Sequence, residues 1–358
     1  MSGATPSLRA TAPAVFPGKD PRRASERLQA ELVPSHPVPL PELPARGHHA
    51  SELGRGVARL SELYAELTSY GWRLVSRPGA DHHRAAQLLR ADVDALADVL
   101  GERAEAQGQP ARNLVLELLG PVSLAAHLAL PTGEKVLIDH GARRELAESL
   151  AAGIVGHVEH VRRACAPQRI TVVLNETSHG RVRAGEVPTV SGYRTIRSLG
   201  RDETRTMIGI VTEALRATGA DEVLLDLGST PEPEHAEDFR GRERSRVDGF
   251  ALPVVRLRSA DWERIAELTE SGTRWLAGML RTGETSWEGL PQVTALSRRL
   301  TEPWQSLGMT PSSLEAFTLT SFCGHEREYP AQLSEAAALR SITRLQDTAE
   351  ALTDQLRG

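Results

Sequence analysis

The segment RITVVLNET, residues 169–177, decides the fold. Its residues 170–174 are apolar or β-branched, with no alternation of polar positions, and the run ends in Asn175 and Glu176. A strand that is apolar on both faces belongs to a parallel sheet covered on both sides. Helix patterns with apolar residues at three- and four-residue spacing flank it, at 141–165 and 202–218. The segment therefore predicts an α/β protein with a parallel sheet.

Further runs of the same character extend this pattern in both directions. They begin at Gly71, Asn113, Asp221, Gly249, Thr273 and Leu314, and we expect one more strand before Phe16. The other helix patterns cover residues 22–31, 51–68, 80–107, 259–271, 289–307 and 330–356. Eight strands that mostly alternate with helices predict a (β/α)8 TIM barrel. A doubly wound open sheet is the alternative, but no GxGxxG loop follows the first strand.

We expect a single domain over residues 1–358, with a disordered start at 1–10. The proline-rich segment PSHPVPLPELPARG, residues 34–47, is predicted to be an extended arm laid over the barrel. The segment 228–249 is charged and poor in apolar residues, which favours a mobile loop or one short helix.

Composition limits the function classes. The net charge is −5 with no long basic stretch, which argues against nucleic-acid or membrane-surface binding. No apolar run approaches the roughly 20 residues of a membrane span. Two cysteines do not make a disulfide framework, so a reducing cytoplasm is the expected compartment.

In a barrel of this kind, chemistry sits at the carboxyl ends of the strands. That rule selects Glu117, Asn175, Glu176, Asp226, Arg256, Arg258, Cys323 and His325 as candidate site residues. His179 lies in the long loop after residue 177. It is either a further substrate contact in the mouth of the barrel, the opening at the carboxyl ends of the strands, or a solvated surface residue.

Glu176 is the most attractive acid–base candidate, because desolvation at the end of a buried strand raises a carboxyl pKa. An equally supported interpretation is that Glu176 is a purely structural ion-pair partner of Arg256 or Arg258. Cys323 is a buried core thiol, a reactive thiol, or part of a remodelled metal site with Asp226 and His325.

Several segments resemble the cobalamin-independent methionine synthase family, in its short single-barrel form. They are VFPGKDPRRASERLQAELVPSHPVPLPELPARG, GWRLVSRPG, LLGPVSLAAHLALPTGEKVLIDHGARRELAESLAAGI, EVPTVSGYRTIRSL and FCG. The resemblance implies methyl transfer, usually from a methylated folate, to a thiolate that zinc activates. In the family the zinc ligands are a His-x-Cys pair after the fifth strand, a Glu after the sixth and a Cys after the eighth.

This chain departs from that ligand pattern. Cys323 matches the last ligand, whereas Asp226 and Gly228 stand where the His and Cys belong, and Arg256 lies near the expected Glu. Val15 replaces a substrate-binding serine, and Asn175 replaces a proton-handling aspartate. The resemblance therefore implies a degenerate site, and we expect no zinc bound in the family's geometry. We also expect Arg256 or Arg258 to face the cavity and pair with Asp226, Glu176 or a substrate carboxylate.

Three functions remain open at this point. The first is a small-molecule enzyme, repurposed from methyl or one-carbon transfer to specialised metabolism, with an anionic substrate and no certain cofactor. A reduced folate remains a candidate ligand, because the amide of Asn175 can still hydrogen-bond a pterin edge. The second is a non-catalytic paralogue that binds or scaffolds a partner enzyme, and the third is a methionine synthase with a rearranged zinc site. Homo-oligomerisation is compatible with each.

Overall fold

The structure is a computed structural model that describes residues 7–108, 111–240, 246–286 and 288–357. Eight parallel strands form its central sheet, in the order β1-β10-β9-β8-β7-β6-β5-β2. Their bounds are β1 Arg9–Ala10, β2 Val38–Pro39, β5 Asn113–Leu119, β6 Arg169–Asn175, β7 Glu222–Asp226, β8 Gly249–Pro253, β9 Arg274–Gly278 and β10 Phe317–Thr320. A parallel bridge between Val15 and Glu42, just past β1 and β2, joins the two ends of the sheet. The TIM-barrel fold expected from the sequence is confirmed.

Helices lie between the strands on the outside of the sheet. They are α1 Pro21–Glu31, α2 Glu52–Ala58, α3 Ala80–Gln107, α4 Pro121–His127, α5 His140–Cys165, α6 His179–Ala184, α7 Arg201–Ala217, α8 Pro233–Arg240, α9 Ser259–Glu270, α10 Val293–Ser306 and α11 Glu335–Arg357. The long helices α3, α5, α7 and α9 agree with the sequence patterns within one residue. Within the described ranges, no helix is both long and apolar enough to cross a membrane.

The second barrel strand is the main correction to the sequence analysis. The run from Gly71 forms β4 (Gly71–Val75), which pairs antiparallel with β3 (Tyr64–Thr68) in a separate hairpin. The barrel strand is instead β2, inside the segment that we interpreted as an arm. Prolines conceal it, because they occupy positions whose N–H the pairing does not use. The donors are Leu40, to Val115, and Glu42, to Ala14.

Three local expectations also change. The helix pattern at 51–68 breaks after α2, where Glu62 has a φ of 64°, and the remainder becomes β3. Arg9 and Ala10, which we assigned to a disordered start, pair with β10, while residues 1–6 lie outside the described residues. The charged segment 228–249 contains the short helix α8, and residues 241–245 lie outside the described residues.

The interior of the barrel has its own apolar layer. Val115, Val173, Leu224, Ala251 and Leu276 form a cluster with Cys323, separate from the larger core beneath the helices. In a strand, the residue two positions later points to the same side. The residues two positions after these therefore also point into the barrel, nearer the carboxyl ends of the strands. The layer therefore forms the floor on which the residues of the mouth stand.

Candidate functional site

Polar side chains form the layer above that floor. Glu117, Asn175 and Asp226 stand two residues after Val115, Val173 and Leu224 on neighbouring strands. Asn175 and Asp226 are also register partners between β6 and β7. The structure therefore brings together three of the side chains that the sequence selected, at the carboxyl end of the barrel.

Arg327, which the sequence analysis missed, lies at the centre of this layer. Its guanidinium donates to Oε2 of Glu117 from Nε at 3.1 Å and from Nη2 at 2.8 Å. With the Asn175 amide turned so that its oxygen faces the guanidinium, Oδ1 accepts from Nε at 2.9 Å and Nη2 at 3.0 Å. The arginine side chain is only 4% exposed. Its carboxylate partners outweigh the effect of burial, so its pKa lies well above the ordinary value.

Two further glutamates complete the arginine's surroundings. Glu42, buried at the end of the second strand, accepts from Nη2 at 3.3 Å. Glu52, in the first turn of α2, places Oε1 2.7 Å from Nη1, but neither atom has the alignment of a hydrogen bond. Burial raises the pKa of Glu52 to about 7, although its side chain keeps 19% exposure. Glu52 is thus the carboxylate on Arg327 that combines access to solvent with a pKa near neutrality.

Asp226 joins two strand ends through backbone contacts. Its Oδ1 accepts from the N–H of Gly228 at 2.8 Å, and its Oδ2 accepts from that of Gly324 at 2.7 Å. Burial raises the pKa of this carboxyl despite the two donors. Gly228 has a φ of +77°, and a Cβ there would lie 2.9 Å from the His325 ring and 3.1 Å from the Thr177 Cα. The position that matches the family's Cys ligand therefore has little room for a side chain.

Cys323 lies against the apolar floor. A Cβ on Gly278 would stand 2.7 Å from its sulfur, so the thiol fills the space that this glycine leaves. Burial raises the pKa of the Cys323 thiol well above its ordinary value, and Asp226 adds to that effect. His325 is exposed and lies against Gly228. Across the described part of the chain, no three His, Cys, Asp or Glu side chains come together as a metal-binding group.

Glu176 is fully buried and occupies a structural position. Its two carboxylate oxygens accept from the N–H groups of Val122, at 2.9 Å, and Ser123, at 2.6 Å, in the first turn of α4. A Cβ on Gly120 would meet this carboxylate at 2.4 Å, so the glycine admits it. Burial raises the pKa of Glu176 to about 7. The raised pKa that we expected is present, and the partner is a helix terminus rather than Arg256 or Arg258.

Arg256 and Arg258 do not pair as we expected. The strand β8 ends at Pro253 and is followed by a short 3-10 helix, Val254–Arg256. Arg256 then pairs with Glu326 at 2.6 Å with 55% of its side chain exposed. Arg258 pairs with Asp261 at 3.2 Å, within the first turn of α9, and is 79% exposed. The pairing expected with Asp226 or Glu176 is therefore wrong, and the guanidinium that contacts the mouth carboxylates belongs to Arg327.

His179 is buried at the start of α6. Its ring packs edge-on against the ring of His235, with the centroids 5.2 Å apart. Burial, with the neighbouring His235, lowers the pKa of His179 to about 3, so the ring is neutral at ordinary pH. The alternative that His179 is a solvated surface residue is therefore wrong.

A signal for Arg327 was present in the sequence but was not used. The residue follows Cys323 by four positions, in the loop after the last strand, where barrel chemistry concentrates. Glu42 and Glu52 gave no such signal, because one lies in the proline-rich segment and the other begins a helix whose bounds we misjudged.

Comparison with known proteins supports the fold alone. No family model matches the sequence, and no curated protein sequence matches it. Among solved structures, a B12-independent methionine synthase from Shewanella sp. W3-18-1, in complex with selenomethionine, superposes with a TM-score of 0.58. The superposition covers 98% of this chain and 99% of that chain, at 11% sequence identity.

Proposed function

We propose that the protein is a small-molecule enzyme that binds a carboxylate-bearing substrate at Arg327 and uses Glu52 for proton transfer. The single observation that carries this proposal is the contact between Arg327 Nη1 and Glu52 Oε1. The atoms form an ion pair at 2.7 Å, yet among the described residues neither atom makes a well-aligned hydrogen bond. The other two guanidinium nitrogens are held by Glu117, Glu42 and Asn175.

The pKa of Glu52 explains how a substrate could enter. Near pH 7 about half of this carboxyl is protonated, and the neutral form attracts the guanidinium less than a carboxylate does. An entering carboxylate takes over Nη1, and the displaced Glu52 then stands beside the substrate with a pKa suited to accept or donate a proton. Methyl or one-carbon transfer is the default of the resembled family, and the rearranged mouth favours chemistry without a zinc-bound thiolate.

Calorimetry with a defined set of carboxylates tests the binding step. The set contains L-methionine, because the structural neighbour holds selenomethionine, together with succinate, citrate and a reduced folate. We expect at least one to bind more tightly at pH 6 than at pH 8. In Glu52→Gln, which removes the competing charge, the ligand should bind at least as tightly, and the pH dependence should vanish. Turnover of any converted substrate should fall by about a hundredfold or more, as for loss of an acid–base group.

Glu328→Gln is the matched control, because Glu328 is an exposed acid on the same loop as Arg327 and near Glu52. It should leave the affinity unchanged and keep the pH dependence, with its midpoint shifted slightly to lower pH, because Glu328 contributes to the raised pKa of Glu52. Equal effects of the two glutamine variants, or binding that ignores pH and Glu52 alike, would contradict the proposal.

A non-catalytic binding protein is the second candidate. It is favoured by the burial of Glu117, Asn175, Asp226 and Arg327, which largely satisfy one another or nearby backbone groups. In that case none of the carboxylates raises the melting temperature, and Glu52→Gln changes stability only.

A further inference from the structure

A second concave site lies outside the barrel, between α2, α3 and α5. It is a cavity of about 430 Å³, within the size range of small-molecule sites. Ala58, Ala86 and Leu89 line part of it. The remaining side chains are basic: Arg59, Arg90, His157, His160 and Arg163. No acidic residue lines it among the described residues. One acid, Asp94, stands on its rim, 3.5 Å from His160 and 65% exposed.

The site is built into α5 by its sequence. Gly153, Gly156, His157, His160 and Arg163 follow at helical spacing, so they share one face. A Cβ on Gly153 would lie 1.5 Å from the carbonyl oxygen of Arg59, so only glycine lets α5 approach the end of α2 this closely. A Cβ on Gly156 meets nothing within 4 Å. One glycine therefore brings the helices together, and the other leaves the cavity open.

Two of the lining side chains are buried and have unpaired nitrogens. Arg59 is 3% exposed, and its Nε and Nη2 have no hydrogen-bond partner. His157 is 7% exposed, and its Nε2 has none. Burial, with Arg55 nearby, lowers the pKa of Arg59 to about 9, and burial lowers the pKa of His157 as well. The Nε–H and Nη2–H groups of Arg59 are thus buried donors without an acceptor among the described residues, which is costly, and an anion would satisfy them.

Arg90 and Arg163, at the edge of the cavity, are exposed. Within the described ranges neither forms an ion pair or a side-chain hydrogen bond, in contrast to Arg327 at the mouth of the barrel. Five Arg and His side chains thus line one cavity whose lining contains no acid among the described residues. Outside that lining, Glu42 and Glu52 act on Arg59, and Asp94 lies beside His160. This excess of basic groups concentrates positive potential there.

We propose that this cavity binds the phosphate group of a small molecule, either free phosphate or a phosphorylated metabolite. A phosphate dianion offers several acceptor oxygens, which matches Arg59, Arg90 and Arg163 converging from three helices. The cavity has room for a small organic group beside the phosphate, against the apolar part formed by Leu89 and its neighbours. This site is independent of the carboxylate site proposed at Arg327.

The test is calorimetry on the full chain with inorganic phosphate, ribose 5-phosphate and AMP, at matched ionic strength. We expect saturable binding at one site per chain. The double variant Arg90→Gln/Arg163→Gln should weaken it by about tenfold or more, as expected for loss of charge-assisted hydrogen bonds. The matched control is Arg77→Gln/Arg84→Gln, which removes the same charge from exposed arginines that lie outside the cavity and form no ion pair within the described ranges.

Gly156→Glu places a carboxylate at the cavity without a steric clash, in a helix that tolerates the residue. It should abolish binding, whereas Gly156→Ala should retain a folded protein and most of the affinity. Tighter binding of ribose 5-phosphate or AMP than of phosphate identifies a phosphorylated metabolite as the ligand, and equal binding identifies free phosphate. Equal weakening by both arginine pairs, or no binding of any of the three compounds, would overturn the proposal.

Discussion

Replacing Arg327 by methionine tests the central contact of the mouth. The change removes the cation that holds Glu117 through two hydrogen bonds and that also contacts Glu42, Glu52 and Asn175. Glu42 keeps its ion pair with Arg55 at 3.1 Å, but Glu117, 10% exposed, loses its cation. Breaking a buried pair by removing one partner costs about 3–5 kcal/mol. We expect a loss of that size in the free energy of unfolding at pH 8.

The loss should depend on pH with a definite sign. Arg327 opposes the effect of burial on the pKa of Glu52, so without the guanidinium the folded-state pKa of Glu52 rises further above its unfolded value. The variant therefore loses stability as pH rises above about 4.5. The difference from the parent chain should therefore be small near pH 4.5 and complete by pH 8. Urea unfolding followed by circular dichroism at both pH values measures it.

Two variants control this experiment. Arg256→Met also breaks an ion pair, with Glu326, but at an exposed position, so stability should stay unchanged within error. Adding Glu117→Gln to Arg327→Met removes the orphaned charge and should restore part of the loss. A cost for Arg327→Met below about 1 kcal/mol, or one that is equal at pH 4.5 and pH 8, would refute the buried network.

Three further predictions concern the two cysteines, the close approach at Gly228 and the ionisation of Glu52. Burial raises the pKa of Cys165 to about 12 and that of Cys323 well above its ordinary value. Ellman's reagent at pH 8 should therefore react with neither thiol in the native protein and with both in guanidinium, and rapid reaction of either thiol in the native protein would contradict this. Gly228→Ala should destabilise by about 1 kcal/mol more than Gly272→Ala, because both glycines have positive φ but only the first meets neighbours, and equal losses in urea unfolding would show that the mouth has room. The free energy of unfolding should fall between pH 5 and pH 7.5, since the folded pKa of Glu52 is raised from 4.5 to about 7. Glu52→Gln should remove up to about 3 kcal/mol of that decrease, and an unchanged decrease in the variant would show that Glu52 ionises with an ordinary pKa.

The barrel could be predicted because its signals are local. Strands such as β6 and helices such as α3 and α5 carry their periodicity within one segment, and their bounds agree closely with the structure. The second strand could not be found this way, because three prolines removed the usual strand composition. Its pairing with β5 requires only the N–H groups that the prolines leave.

The site was predicted in part, for a related physical reason. Glu117, Asn175 and Asp226 lie at or near the carboxyl ends of their strands, so the alternation of strand residues places them inward. Arg327 comes from a loop whose path depends on tertiary contacts, including the Asp226–Gly324 hydrogen bond across 98 positions. Arg256 was misplaced because the strand β8 ends at Pro253, three residues before it, although the apolar run continues through Val255.

A buried set of ion pairs extends from the mouth of the barrel to the helices α2 and α3. Arg46 and Arg55 hold Asp92 between them, and Arg55 also pairs with Glu42. Glu42 in turn meets Arg327, so fixed ion pairs reach the centre of the barrel. Networks of this kind are weak evidence for stability but fix the geometry of their members.

A guanidinium held in such a network differs from a metal in what it offers. Arg327 neutralises the converging glutamates and presents donors in a fixed plane, as a binding site for an anion requires. It has no coordination position that would lower the pKa of a bound thiol, which is how zinc generates a nucleophile. Among the carboxylates that contact Arg327, burial raises the pKa of Glu52 to about 7. A reaction that begins with proton transfer on a bound carboxylate compound is therefore the chemistry to which these residues are suited.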